Sequence, residues 1–325
     1  MTAMMKCVVL GCLGVAGFAM PLVAAAQQYP TRAVRVIVPY SAGSATDVLS
    51  RTVAQKLGDL WGQAVVVENM PGANGTTATA LAARADPDGY TLLMIAANHV
   101  ANSSLYRTLP YDTLKDFKAV ARIGHASFVL CTHPKLPVKT VGEFVSYAKA
   151  HPGEINYSSP GNGTPGHLAM EMLKTMSGMN IVHVPYKGAA QATTDTVGGQ
   201  VQSGFVVQST AIPHIKAGRL NGLAISSATR SDKLLDVPTI AESGYPGFDL
   251  VSWIGLIAPA NVPADIVAKI SMDVMKVINM PEVRDRLAGI GITPFPAPAG
   301  EFGPYIEAEY KKWGKLVKDS GAKLD

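Results

Sequence analysis

The stretch that decides the fold is residues 36–51, which read VIVPYSAGSATDVLSR. Its alternating Val and Ile residues predict a buried strand, and the helical spacing that begins at Asp47 predicts a helix after a tight Ser/Gly loop. Such a loop leaves backbone N–H groups unpaired at the helix N-terminus, where they attract anions. Residues 41–46 add three hydroxyls and no Lys or Arg. The stretch therefore predicts either an ordinary capped helix or a site where neutral donors hold a small anion.

The composition is that of a globular protein. The chain has 325 residues, of which 48% are hydrophobic and 16% charged, and it contains 31 Gly and 22 Pro. This length is enough to bury a large core and predicts two domains. The net charge of +4 is small and the basic residues are scattered, so nucleic acid is not an expected partner.

Residues 1–26 are expected to be a signal peptide rather than part of the fold. Lys6 supplies the positive n-region, and residues 7–20 form an apolar stretch too short to span a bilayer comfortably. The small residues 24–26 then give the cleavage pattern, so we expect the cut before Gln27. The mature protein is expected in a bacterial periplasm.

The cysteines agree with this interpretation. Cleavage would remove Cys7 and Cys12 and leave Cys131, which lies in an apolar run and is expected to be a buried, inert thiol. A lipoprotein box at residues 9–12 is an alternative, but it leaves almost no apolar region ahead of Cys12.

Strands and helices alternate along the rest of the chain, which predicts α/β layers with largely parallel sheets. Further strands are predicted at 64–68, 90–96, 128–132, 155–158, 181–185, 201–207, 220–226 and 249–258. Helices are predicted at 78–84, 140–150 (with Thr140 as N-cap and Glu143 completing a capping box), 168–176, 239–243, 264–278, 282–288 and 300–320, with another ending at 197.

The chain is expected to form two lobes that face a ligand cleft. Two crossings, near residues 125 and 228, suggest a hinge of two strands. Residues 27–125 with 228–325 would form lobe 1, and residues 126–227 would form lobe 2. Ligands in such folds collect at the carboxyl ends of the strands.

Two motifs direct attention to loops in both lobes. Residues 161–166 read GNGTPG and match a dinucleotide fingerprint, but the acidic residue expected about 20 positions later is missing and Pro165 is unusual in that turn. We therefore keep only an anion-receptive helix N-terminus. VPY occurs at 38–40 and again at 184–186, each time at a strand end before a Gly-containing loop, which suggests related loops around one ligand. Lys187 either pairs with a ligand carboxylate or points to solvent.

Catalysis and metal binding receive little support. The histidines are scattered, and neither HExxH nor CxxC spacing occurs, so no metal or cofactor is expected. A triad drawn from Ser41, Ser44, Ser158, Asp47 and His167 is the enzymatic alternative, an exported serine hydrolase. The Gly-x-Ser-x-Gly motif of such enzymes is absent.

At these same loops the chain resembles the substrate-binding receptors of tripartite tricarboxylate transporters, the Bug receptor family. The matching segments are residues 29–30 with 37–47, then 68–75, 86–92, 109–112, 116–117, 157–168 and 184–188, in the family's order. The resemblance implies an α/β, two-lobed periplasmic binding protein fold, with two mixed or parallel sheets flanked by helices. It also implies capture of a small organic carboxylate by cleft closure and delivery to a membrane permease. A monomer is expected because nothing in the sequence points to an oligomer interface.

In the family, loops corresponding to residues 40–47 and 158–164 clamp one ligand carboxylate through backbone amides, hydroxyls and bridging waters. The ligand-binding residues expected here are Tyr40, Ser41, Ala42, Gly43, Ser44, Thr46, Asp47, Asn98, Ser158, Gly161, Asn162, Thr164, Pro165, Tyr186, Val206 and Gln208. A receptor that signals to a sensory partner instead of a permease would need the same closure.

The chain departs from the family pattern at two places. The second glycine of the first loop is Ser44, which should stiffen the turn and add a hydroxyl. After the strand at 201–205, an acidic residue and Asn or Ser are replaced by Val206 and Val207, followed by Gln208. If these side chains face the cleft, a partner for a ligand ammonium is missing, and a dicarboxylate or a carboxylate with an apolar remainder fits better than an amino acid. The alternative is that Val206 packs within the strand.

Overall fold

The computed structural model describes residues 29–324. The predicted signal peptide, its cleavage site, Cys7 and Cys12 lie outside the described residues. The described strands are β1 Val34–Val38, β2 Val65–Asn69, β3 Thr91–Ala96, β4 Phe117–Ala126, β5 Phe128–Thr132, β6 Asn156–Ser159, β7 Val182–Pro185, β8 Ser203–Val207, β9 Asn221–Ile225, β10 Ser252–Pro259 and β11 Thr293–Pro298. The helices are α1 Ala45–Trp61, α2 Thr76–Ala83, α3 Asn98–Leu105, α4 Val141–Ala150, α5 Pro165–Ser177, α6 Ala189–Val197, α7 Gln208–Lys216, α8 Ala264–Ile278, α9 Pro281–Gly289 and α10 Ala299–Ser320.

The strands form two mixed sheets with helices around them. The first sheet has the order β11-β4-β10-β3-β1-β2, and the second has the order β7-β6-β8-β5-β9. In the first sheet β1 is parallel to β2 and β3, whereas β10 is antiparallel to β3 and β4. In the second, β6 is parallel to β7 and β8, whereas β5 is antiparallel to β8 and β9. The parallel strands place several carboxyl ends side by side, which is where α/β folds bind ligands.

The chain passes between the two sheets twice. Ser127 alone separates β4 of the first sheet from β5 of the second, and the chain returns after β9 to form β10. The lobe boundaries stay a prediction, because membership of a sheet does not show which residues move together.

Helix α10 joins the cores of the two sheets. Its Trp313 belongs to one buried cluster with Leu168 of α5 and Trp253 of β10. Glu309 on α10 is only 5% exposed, and its Oε2 accepts hydrogen bonds from the indole Nε1 atoms of Trp253 (2.9 Å) and Trp313 (2.7 Å). A buried carboxylate is tolerated here because Oε2 accepts from these two buried donors and Oε1 pairs with Lys312 Nζ (3.0 Å).

The N-cap residue of helix α4 was predicted correctly. Thr140 is the N-cap, and its hydroxyl accepts a hydrogen bond from the backbone N–H of Glu143 (3.1 Å). The Glu143 carboxylate accepts from the N–H of Lys139 (2.7 Å), one residue before the cap, rather than from the cap itself. Cys131 is buried, as predicted.

Five predictions of secondary structure were wrong or missing, among them strand β4, whose residues 117–126 were not predicted as a strand. Instead of the helix predicted at 239–243, residues 240–244 form a turn that ends at Gly244 (φ +102°), and Thr239 forms an isolated parallel bridge with Ile225. Helices α3 and α7 and strand β11 were not predicted, because α3 is short and polar, α7 contains Pro213, and β11 contains several prolines. Strand β11 tolerates these prolines because it lies at the sheet edge. In the described residues 29–324, each helix is either too short or too polar to cross a membrane.

Candidate ligand-binding site

The loops that follow β1, β2 and β3 meet at one edge of the first sheet. The phenol of Tyr40 donates to Oδ1 of Asn98 (2.5 Å), and Nδ2 of Asn98 donates to the backbone oxygen of Asn74 (2.8 Å). A Cβ at Gly75 would lie 3.1 Å from Cβ of Pro39, so these loops pack closely. The structure therefore brings together the predicted residues Tyr40 and Asn98 and adds Asn74, which was not predicted.

Residues 39–44, here called the first loop, lead from β1 into α1. Ser44 is the N-cap: its backbone N–H donates to the oxygen of Ser41 (3.1 Å), and its hydroxyl accepts from the N–H of Asp47 (3.2 Å). Gly43 has φ +80°, in the left-handed region that L side chains rarely adopt. Ser41, Ala42 and Gly43 are exposed, so the turn presents its backbone to the surroundings.

Asp47 shapes the first loop with its carboxylate. It is 2% exposed, and it accepts from Gly43 N–H (2.8 Å), Asn69 Nδ2 (2.8 Å) and Arg51 Nε (3.0 Å). Burial alone would raise the pKa of this carboxyl, but the hydrogen bonds from Gly43 and Asn69 and the charge of Arg51 hold the pKa below its usual value. Both carboxylate oxygens are already in use, so Asp47 supports the turn instead of offering a free group to a ligand.

Residues 160–164, here called the second loop, lead from β6 into α5. The hydroxyl of Thr164 donates to the oxygen of Gly161 (2.7 Å), and a Cβ at Gly161 would lie 3.3 Å from the oxygen of Tyr186 at the end of β7. Asn162 is exposed at the tip, and Pro165 occupies the first position of α5. These predicted residues therefore form one loop cluster at the carboxyl ends of β6 and β7.

Ser158 does not point toward this loop, contrary to the prediction. Its hydroxyl is 2.7 Å from Oγ1 of Thr196, which itself donates to the oxygen of Ala192 on α6, so Ser158 donates to Thr196. Neighbouring side chains of a strand point to opposite faces, and it is Ser159 that contacts the loop. Its hydroxyl accepts from Gly161 N–H (3.1 Å).

Val206 follows the alternative given above and packs within the strand, whereas ligand binding by Gln208 stays a prediction. Val206 is 5% exposed and packs in a core cluster with Val129, Cys131 and Ala211, so its side chain does not face a cleft. The argument against an amino-acid ligand therefore loses its basis. Gln208 begins α7 beside the chain crossing, where its N–H donates to the oxygen of Ser127 (2.9 Å) and its side-chain amide donates to Ser231.

Two histidines that were not predicted to bind ligand lie behind the second loop. The rings of His167 and His183 stack at 4.1 Å between centroids, and Tyr157 stacks on His183 at 4.8 Å. His167 Nδ1 accepts from Gly163 N–H (3.1 Å), and His183 Nε2 lies 2.6 Å from the Ser159 hydroxyl. Burial lowers the pKa of both imidazoles, and for His183 burial together with the neighbouring His167 lowers the pKa to about 4.

The proposed triad is not assembled. Asp47, His167 and Ser158 bond to Gly43, Gly163 and Thr196 respectively, rather than to one another. Within residues 29–324, no group of His, Cys, Asp or Glu side chains has the arrangement of a metal site.

Helix α3 links the two loops. Its first residue, Asn98, bonds to Tyr40 of the first loop, and its last residue, Leu105, contacts the second loop, since a Cβ at Gly163 would lie 2.6 Å from Leu105 Cδ1. An eight-residue helix rises about 10 Å from its first residue to its last. The two loops therefore lie at the two ends of one short helix.

Two mixed sheets, each carrying such a loop, define a periplasmic binding protein fold. Residues 49–322 match the TctC family, described as the tripartite tricarboxylate transporter family receptor. Protein BugT of Bordetella pertussis is 34% identical over 314 residues, which cover 96% of each chain. The chain belongs to this receptor family.

Solved structures with similar sequences have the same fold. A structure from R. palustris described with adipate has a TM-score of 0.79 and 34% identity, and the match covers 91% of this chain and 100% of that one. MatC from Rhodopseudomonas palustris with bound malate has a TM-score of 0.74 and 31% identity, over 89% of this chain and 100% of that one. The family consists of solute-binding receptors and not of enzymes, so the hydrolase alternative is set aside.

Proposed function

We propose that this protein is an exported periplasmic receptor that captures a small organic carboxylate by cleft closure and delivers it to the permease of a tripartite tricarboxylate-type transporter. The observation that carries the proposal is the pair of loops at the two ends of α3, each of which turns through a glycine into a helix N-terminus. Similar proteins described with adipate and with malate support a carboxylate as the ligand.

The chemistry of the loops suits a carboxylate. At the start of α1 the N–H groups of the first turn have no partner within the helix, and the same holds at α5 except where Pro165 has no N–H. The helix dipoles add partial positive charge at both ends. Closure of the two lobes would remove the anion from water, which strengthens each N–H and hydroxyl contact.

The ligand class is proposed as carboxylates, with dicarboxylates first. Adipate and malate, named for the two similar structures, both carry two carboxylates. Lys187 is exposed directly after Tyr186, whose oxygen adjoins Gly161 of the second loop. A flexible ammonium at this position could hold a second carboxylate, whereas the loops hold the first. Amino acids stay among the candidates because Val206 is buried.

A thermal-shift screen of the chain from Gln27 onward tests the proposal. The panel contains adipate, malate, benzoate and aspartate, each with its amide. A ligand at a hundredfold excess over its dissociation constant stabilises the native state by about 2.7 kcal/mol. We expect acids to raise the melting temperature and amides to leave it unchanged. No response to any acid, together with a response to neutral compounds, would contradict the proposal.

A matched pair of variants locates the bound acid. Thr164→Val removes the hydroxyl that bonds Gly161 in the second loop. Thr175→Val removes a similar hydroxyl, which donates to the oxygen of Glu171 (2.9 Å) near the other end of α5. We expect only the first change to weaken the acid-induced shift. Equal effects of the two changes would place the ligand elsewhere.

The proposal of export has its own test. Expression of the full chain in a bacterium, followed by mass measurement of the periplasmic product, should give a protein that begins at Gln27. A product that retains residues 1–26 would contradict cleavage, and size-exclusion chromatography of the same product checks the proposed monomer.

A further inference from the structure

The first and second loops have the same backbone design. In the first, Ser44 N–H donates to the oxygen of Ser41 (3.1 Å), and in the second, Thr164 N–H donates to the oxygen of Gly161 (3.3 Å). The two N-caps have nearly equal dihedral angles, φ −66° and ψ 157° at Ser44 and φ −70° and ψ 156° at Thr164. The glycine before each cap is left-handed, with φ +80° in the first loop and +71° in the second.

Each loop is also tied back by the third residue of its helix. Asp47 Oδ2 accepts from Gly43 N–H at 2.8 Å, and His167 Nδ1 accepts from Gly163 N–H at 3.1 Å. In both cases the donor is the residue before the N-cap. The bond closes the turn without using the N–H groups at the helix start, of which the Asp47 N–H donates to the Ser44 hydroxyl (3.2 Å).

In each loop, the residue that accepts the glycine N–H is compatible with the charge of the side chain four residues later in the helix. Asp47 pairs with Arg51, at i+4, through a 3.0 Å contact. The i+4 neighbour of His167 is Glu171, a carboxylate that bonds the Tyr157 phenol and Lys174 Nζ (2.7 Å). A second carboxylate in place of His167 would repel Glu171, because like charges at i,i+4 destabilise a helix. A neutral imidazole avoids this repulsion.

We propose that His167 is a positioning residue for the ligand loop: as a neutral imidazole it holds Gly163 and fixes the second loop, the task that Asp47 performs in the first. This inference rests on the proposed function. Because Nδ1 accepts the Gly163 N–H, the ring proton lies on Nε2. The groups that face the ring are His183 from β7, Tyr157 from β6, and Glu171 and Lys174 on α5 itself.

The surroundings favour the neutral form. His167 is 5% exposed, and it stacks on a second imidazole, so a proton on either ring would be poorly solvated and would repel a proton on the other. The pKa of His167 is lowered, mainly by burial, although Glu171 opposes the shift.

Two substitutions separate the hydrogen bond from the packing of the ring. His167→Phe keeps a stacked ring and removes the acceptor. His167→Asn removes the ring and keeps an acceptor of the length that Asp47 uses at the equivalent place in the first loop. We expect the Phe variant to bind the carboxylate identified by the screen about 3- to 10-fold more weakly, as the loss of one intramolecular hydrogen bond allows, and the Asn variant to bind within about twofold of the parent chain.

Glu143→Ala is the matched control. It removes the same type of bond, from the third residue of α4 to the N–H of Lys139, away from both loops. We expect it to lower stability without changing affinity. The inference is overturned if the Phe variant binds as tightly as the parent, or if the Asn variant is as weak as the Phe variant.

A measurement without ligand keeps the inference separate from the proposed function. Hydrogen exchange followed by NMR should show the Gly163 amide protected in the parent and in the Asn variant and exposed in the Phe variant, with Nδ1 of His167 unprotonated at pH 7. Equal Gly163 exchange in all three proteins would overturn the inference. If no carboxylate binds the parent chain, the proposed function fails, and these spectra still decide the role of His167.

Discussion

An added methyl group at Gly163 should push the second loop away from helix α3. Gly163 lies in the second loop with φ +71°, and a Cβ there would lie 2.6, 2.7 and 3.2 Å from three side-chain carbons of Leu105, at the end of α3. Real Cβ atoms do not approach carbon this closely. Gly163→Ala therefore forces either Leu105 or the whole loop to move.

The cost has two parts. An L residue in the left-handed region costs roughly 1–2 kcal/mol, and overpacking of a close contact costs about 1–3 kcal/mol. Gly163→Ala should thus lower the free energy of unfolding by about 2–5 kcal/mol. Gly153 is a matched control, because its φ is +81° and a Cβ there would have no neighbour within 4 Å. Gly153→Ala should show only the first part.

Urea unfolding of both variants measures the difference as a shift in midpoint at an unchanged m-value. In a Leu105→Ala background, Gly163→Ala should cost no more than the control, because its clash partner is gone. The ligand affinity of Gly163→Ala should also fall. A methyl group that pushes the second loop away from α3 should lower the population of the proposed closed form. Equal costs for Gly163→Ala and Gly153→Ala would refute the reasoning.

Two further predictions concern buried groups. The free energy of unfolding should fall as the pH drops from about 6.5 to about 4, because burial lowers the pKa of His99 to about 4, and burial together with the neighbouring His167 lowers the pKa of His183 to about 4. Between these pH values the unfolded chain binds more protons than the native one, so unfolding becomes easier as the pH falls. Urea midpoints at pH 7, 5.5 and 4.5 measure this change. His99→Gln should make the free energy of unfolding depend less steeply on pH. Glu309→Ala should lower the free energy of unfolding by about 2–6 kcal/mol, because two buried indole N–H groups lose their acceptor at about 1–3 kcal/mol each. Glu309→Gln, which keeps an acceptor, should cost less. Thermal unfolding compares the two variants, and equal costs would contradict the role assigned to Glu309.

The hydrophobic pattern was sufficient to predict the elements that have one apolar face or form a continuous apolar run. Strand β5 and helix α8 were predicted at their observed ends, because α8 has one strongly apolar face and β5 is a short apolar run between turn residues. The elements that were missed owe their structure to their place in the fold. Strand β11 is held by pairing with β4 at the sheet edge despite its prolines, and helix α3 is held by packing in the core despite its polar sequence.

The two loops were predictable from the sequence, but the orientations of individual side chains around them were not. Glycines and hydroxyl residues before a helix indicated both loops, because these residues are typical of a turn into a helix N-terminus. Whether Ser158 or Ser159 faces the loop depends on which face of β6 lies against α6, and two adjacent serines give no apolar contrast to decide it. The contact of Ser159 with His183 joins residues 24 positions apart and follows only from the pairing of β6 with β7.

The two loops together lead to a last prediction, about salt. The carboxylate of Asp47 is balanced by Arg51, and Glu171 behind the second loop is balanced by Lys174, so neither loop carries a net charge next to its N–H groups. Attraction of a carboxylate should then come from short-range dipoles and hydrogen bonds, which salt screens much less than exposed charges. We expect the dissociation constant for a monocarboxylate to change less than about threefold between roughly 0.01 and 0.5 M salt in titration calorimetry. Binding of a dicarboxylate held by exposed Lys187 should weaken more steeply as the salt concentration rises, and Lys187→Gln should remove this extra salt dependence. If a steep salt dependence remains in Lys187→Gln, another cation binds the ligand.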